Sequence, residues 1–85
     1  MDDETRQHLT EVQAKYSELL MSKANVIGVG IGYARVNGEL TDVPAIVALV
    51  QNKLPLSALA TEDIIPPTLD DMRVDVQETG AINAF

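Results

Sequence analysis

Residues 25–33 read NVIGVGIGY, with Gly28, Gly30 and Gly32 at alternate positions and an apolar side chain at every position between them. Glycines at this density form either a loop that cradles phosphate or a strand with one bare side, and the fold turns on which. A phosphate loop places its glycines where a strand ends and a helix opens, because the helix N-terminus holds the anion. Here the order is reversed. A segment free of proline and glycine, from Asp3 to Lys23, comes first, and Asn37-Gly38 follows. The GVGIG spacing also lacks the six-residue dinucleotide fingerprint and the lysine and hydroxyl residue of a P-loop. The stretch therefore reads as a strand in which Gly28, Gly30 and Gly32 share one face and Ile27, Val29, Ile31 and Tyr33 the other.

The remaining elements follow from that strand. Leu9, Val12, Tyr16, Leu19 and Leu20 recur at spacings of three and four, predicting an amphipathic helix over about 3–23 with Asp2, Asp3 and Glu4 at its positive end, Lys23 at the opposite end and Asn25 as terminator. The glycine strand spans about 26–36 and runs into Asn37-Gly38, the dipeptide best suited to the positive φ angles of a tight hairpin. A second strand is expected over 45–51, AIVALVQ, with an irregular or longer connection through Thr41–Pro44. It is apolar on both faces and so wants cover on both. The stretch 53–69 carries Pro55, Pro66 and Pro67 and reads as a wrapping connection with room for one short helix near Ser57–Asp63. Met72, Val74 and Val76 alternate with Arg73, Asp75 and Gln77, predicting a third strand over 72–78 that Gly80 ends, leaving the tail AINAF. The fold class is α+β: one domain over 1–85, with a long N-terminal helix packed on a small, mainly antiparallel three-stranded sheet.

Composition narrows the function. Six basic against thirteen acidic residues give a net charge of −7, which opposes binding to nucleic acid and to anionic membranes. The absence of cysteine excludes disulfides and thiolate chemistry. The acidic, polar N-terminus does not resemble a secretory signal, and no window approaches the roughly 20 apolar residues of a membrane span. A soluble, cytoplasmic chain is the expectation.

Catalytic chemistry finds little support. His8 lies in the polar run DDETRQH and reads as a solvated helix residue, while Ser17, Ser22 and Ser57 have no base suggested beside them. A hydrolase subunit whose active site is shared between chains would need His8 to matter. Carboxylates cluster at Asp2–Glu4, Glu62–Asp63 and Asp70–Asp71, but none has the loop of a calcium site, so they read as solvated charge at helix starts and turns. Asp75 is expected to point outward beside Arg73 and Gln77, with a hydrogen bond to a neighbouring loop as the alternative. No catalytic, cofactor or metal residues are assigned.

Two readings of the glycine strip remain: a groove filled by the chain's own helix, which is the expectation, and a docking strip for a partner. Apolar surface left over on the second strand points to protein interaction. The expected surface comprises Gly28, Gly30, Gly32, Ile27, Val29, Ile31, Tyr33, Val47 and Leu49, serving a homo-oligomer or another protein domain. A small-ligand or nucleotide site on the Gly28–Gly32 backbone is the alternative.

The series NVIGVGIGY, AIVALV, Lys53–Pro55, Ile65-Pro66 with Asp70 and Asp71, and Val74–Gly80 resembles the segment preceding the catalytic domain in bacterial trypsin-like serine peptidases. That resemblance implies a non-catalytic, propeptide-like accessory or assembly domain whose partner is a peptidase-type domain. It carries no triad onto this chain.

Overall fold

The computed structural model describes residues 1–79, so the reading of Gly80 as a strand end and the tail AINAF lie outside the described residues. Helix α1 spans Asp3–Met21. Strands follow at Val26–Val36 (β1), Glu39–Val50 (β2), Thr68–Leu69 (β3) and Met72–Glu78 (β4), with two short 3₁₀ turns at Leu56–Ala58 and Thr61–Asp63 between β2 and β3.

Helix α1 begins where its cap dictates. The Asp2 carboxylate accepts the Thr5 amide at 2.7 Å, and Asp3 and Glu4 occupy the first turn, where the helix dipole favours negative charge. The helix closes two residues before Lys23, with Ser22 as C-cap, and Asn25 takes a left-handed conformation at φ 75° that turns the chain into β1. Asn25 also ties the start of β1 to the end of β2. Its carbonyl accepts the Gln51 amide at 3.2 Å, its side-chain amide donates to the Asn52 carbonyl, and its side-chain oxygen accepts the Asn52 amide at 3.3 Å.

The sheet is four-stranded and mixed, in the order β1-β2-β4-β3, which corrects the expected three-stranded, mainly antiparallel arrangement. β1 and β2 are antiparallel, β2 and β4 parallel, and β3 and β4 antiparallel. The parallel pairing has a plain cause. β2 is apolar on both faces and sits centrally, so it needs a neighbour on each edge, and the connection from Gln51 onward is long enough for the crossover that parallel strands require. The short helix expected near Ser57–Asp63 is instead the two 3₁₀ turns.

β2 also starts earlier than its apolar run. Asn37 (φ 53°) and Gly38 (φ 81°) form a two-residue turn, and Glu39 pairs directly with Val36. The irregularity expected around Thr41–Pro44 is a bulge inside the ladder, where the register passes from Arg35↔Leu40 to Tyr33↔Pro44. Thr41 fastens it, its hydroxyl donating to the Ala34 carbonyl at 2.7 Å and accepting the Val43 amide at 3.2 Å. A second bulge lies between Val26 and Gly28.

The core sits between α1 and one face of the sheet. Leu9, Leu20 and Ile46 are fully buried, joined by Val12, Ala48 and Val74, with Val29, Ile31, Ile65, Leu69 and Met72 packed around them. Burial of one such large side chain stabilises the fold by about 1.5–3 kcal/mol. In a chain of 85 residues few can be spared. Leu9→Ala is expected to destabilise by about 2–5 kcal/mol. Gly38→Val, which puts a β-branched residue at positive φ, is expected to cost about 1–3 kcal/mol. Urea unfolding followed by circular dichroism measures both, and a Gly38→Val variant as stable as the parent would contradict the turn.

Candidate interaction surface

Strand parity divides the residues expected to form one surface. Val29, Ile31 and Ile46 face α1. The Tyr33 hydroxyl accepts the Met1 amino group at 2.6 Å. Gly28, Gly30 and Gly32, paired with Leu49, Val47 and Ala45, lie on the opposite, helix-free face. Ile27 is the extra residue of the first bulge and is exposed.

The expected packing of α1 into the glycine strip is therefore corrected. The helix covers the side-chain ridge, because Leu9, Val12 and Leu20 bury more apolar area against Val29 and Ile31 than against bare backbone. What approaches the glycines comes from β2. A Cβ built on Gly28 would lie 3.3 Å from Leu49 Cδ1, one on Gly32 would lie 3.5 Å from Val47 Cγ2, and one on Gly30 would meet nothing within 4 Å. Gly28 is thus bare to admit Leu49, while the fold sets no steric demand at Gly30. The glycines lie in a continuous strand, and no helix opens after them. Residues 28–32 consequently lack the loop that a nucleotide site on this backbone needs.

The helix-free face is framed by polar contacts at one end. Asp75, nearly buried, points across this face and neither runs outward to solvent nor meets a loop. Its Oδ2 accepts the Arg35 amide of β1 at 3.0 Å and the Gln77 side-chain amide at 3.1 Å. Gln77 also donates to the Tyr33 carbonyl at 3.4 Å. These bonds draw the far end of β1 over β2 toward β4, with Ala45 and Val47 buried beneath. The strand pattern around Asp75 signals only its face; its partners on β1 come from the curl of the hairpin. Beside the hairpin tip, an open concavity of about 620 Å³ is lined by Arg35, Asn37, Leu49, Lys53 and Glu78. A second, of about 300 Å³, lies between the end of α1 and the 3₁₀ segment, lined by Val50, Leu54, Leu59, Ile65 and Val76. Val36, Leu40 and Val43 on the hairpin are exposed apolar side chains.

The carboxylates read as solvated charge include two that fasten elements. Asp70 (φ 46°) and Asp71 (φ 68°) make the two-residue turn joining β3 to β4. The Asp70 carboxylate accepts Lys15 Nζ at 2.8 Å and the Tyr16 hydroxyl at 2.9 Å, which pins the turn to α1. The Lys15 hydrogen bond, with that of Tyr16, holds the Asp70 carboxyl below its ordinary 3.8, and Asp70 raises Lys15 above its ordinary 10.5. At the helix end, Asp63 accepts the Ala24 amide at 2.8 Å and the buried Lys23 donates to the Glu62 carbonyl at 2.7 Å. Lys23 therefore acts as an anchor for the connection, a role its helix-end position does not reveal. Among the described residues no group of three or more His, Asp or Glu side chains gathers as metal ligands, and no helix is long and apolar enough to cross a membrane. His8 is exposed on α1.

The sequence pattern of the NARROW LEAF 1 N-terminal domain matches residues 3–77, from the first residue of α1 almost to the end of β4. The chain belongs to this family. That finding corrects the resemblance to the segment preceding bacterial trypsin-like peptidase domains: NVIGVGIGY and its companion stretches are elements of the NARROW LEAF 1 N-terminal domain. No curated protein matches the chain.

Two measurements check the polar framework. Asp75→Ala leaves the Arg35 amide and the Gln77 side chain without their acceptor, at an expected cost of about 1–3 kcal/mol in urea unfolding, while Asp75→Asn keeps an acceptor and loses less. Because the folded state depresses the Asp70 carboxyl, its contribution is complete above the ordinary value of 3.8 and disappears as pH falls through the folded-state value. Asp70→Asn is expected to flatten the acid limb of the melting temperature against pH. An acid limb identical to the parent's would refute that role.

Proposed function

We propose that this domain is a non-catalytic protein-interaction module that acts through its sheet, associating with itself or with another protein, and using neither nucleic acid, membrane nor cofactor. The observation that carries this reading is the apolar surface left open on the β1–β2 hairpin. Ile27, Val36, Leu40 and Val43 are exposed, whereas Ala45 and Val47 on the helix-free face of β2 are buried. Such exposed surface in a small domain marks contact with another chain. The family's description as an N-terminal domain supports a module that works beside other domains. The charge of −7 favours neither phosphate backbones nor anionic lipid.

Light scattering of the purified chain from micromolar to millimolar concentration, paired with binding of the apolar-surface dye ANS, tests this. The expected result is a mass that rises above that of one chain, together with dye fluorescence that falls as association covers the surface. A chain that stays monomeric and binds no dye would overturn the reading, since it would offer no accessible apolar surface.

A further inference from the structure

We propose that the outer edge of β1 is a self-pairing edge, joining two copies of this chain antiparallel across a two-fold axis into one continuous sheet; this rests on the interaction-module reading and names its partner and surface. Among the described residues β1 ends the strand order, so one row of its backbone groups has no neighbouring strand there. The Val29 carbonyl belongs to that row, because the Gln13 side chain reaches it from α1 at 3.0 Å. With a period of two, the Ile31 and Tyr33 groups point the same way. The pairing of Tyr33 with Pro44 agrees, since a residue without an N–H sits where the ladder needs none.

Edges of this kind are normally blunted by charge, proline or a covering element. Val26–Ala34 contains no charged residue and no proline, and by the same alternation the Val29 amide and both Ile31 groups lie on the row that points away from β2. Gln13 occupies one lone pair of the Val29 carbonyl and leaves the second. The far end of the strand is blunted, by Gln77 on the Tyr33 carbonyl and Asp75 on the Arg35 amide. Any added strand is thereby confined to the section before Tyr33.

That section favours a second copy. Ile27-Gly28-Val29-Gly30-Ile31 reads the same in both directions, so a two-fold axis at Val29 sets Ile27 opposite the partner's isoleucine and glycine opposite glycine. Such an interface is isologous and closed. Charge placement permits it despite the −7. The helix flank beside this edge carries Arg6, Thr10, Gln13 and Ser17, whereas Glu4, Glu11 and Glu18, seven residues apart, line another side of α1. Edge-to-edge pairing keeps the two glutamate rows apart.

Sedimentation equilibrium and amide hydrogen exchange on the full chain test the proposal. Association of the parent is expected to slow exchange of the Val29 and Ile31 amides with rising concentration. Ile27→Lys, a change at an exposed side chain beside the edge, is expected to weaken association at least tenfold. Thr10→Arg, exposed on the adjoining helix flank, should do the same should the first variant prove unstable. Gly30→Ala, whose added carbon meets open space on the other face, is expected to leave the association constant unchanged. A dimer indifferent to both charged variants, with Val29 and Ile31 exchanging as in the monomer, would overturn the edge assignment while leaving the broader reading intact. A chain that is monomeric at millimolar concentration would also overturn it, and the dye result would then decide the broader reading separately.

Discussion

The structure depends on one constraint: β2 is apolar on both faces and must not be left at an edge. Ala45, Ile46, Val47, Ala48 and Val50 are all buried, although they alternate between the two sides of the sheet. A strand of that kind is stable only between two neighbours, with cover above and below. The hairpin supplies β1 on one side, and the crossover brings β4 to the other in parallel register, Ile46 beside Val74 and Ala48 beside Val76. Helix α1 then covers the face that carries Ile46 and Ala48. Among the described residues no helix covers the other face, and the curl of β1 toward Asp75 and Gln77 gives it partial shelter.

The crossover that makes this possible has little internal structure, and side chains hold it in place. Lys23 grips the Glu62 carbonyl, Asp63 caps the Ala24 amide, and Lys15 with Tyr16 holds the Asp70 turn. Each of these bonds starts from the helix or the residues just after it. The helix therefore serves as cover for the core and also as the fixed rail on which the long connection is hung. The ion pair between Lys15 and Asp70 is exposed, so its value lies in orienting a turn held at positive φ more than in electrostatic energy.

Much of this was legible in the residues. The three-four spacing of Leu9, Val12, Tyr16 and Leu20 placed the helix, and Asn37-Gly38 placed the hairpin, because both signals are local and the physics behind them is local too. The side of the sheet on which the helix rests was not legible. Alternation shows that Gly28 and Val29 face apart, but deciding which face receives the helix requires weighing packing across the whole domain, and side-chain burial prevailed over bare backbone. Parallel pairing was hidden for a similar reason: nothing near Met72–Glu78 records strand direction, which is set by the path of residues 51–71. The anchors Lys23 and Asp70 resembled ordinary surface charges because their partners lie far away in sequence.

The mixed sheet also orders events in time. The β1–β2 hairpin closes through two residues and can form within microseconds, whereas β4 must find β2 after the whole proline-bearing crossover has been brought back, a closure of higher entropy cost. Until β4 arrives, β2 exposes a second open edge, and its helix-free face lacks the shelter that Asp75 and Gln77 draw over it. On a chain emerging from a ribosome, that vulnerable interval ends only when residues 72–78 have been synthesised and docked, so β4 acts as the lock on β2.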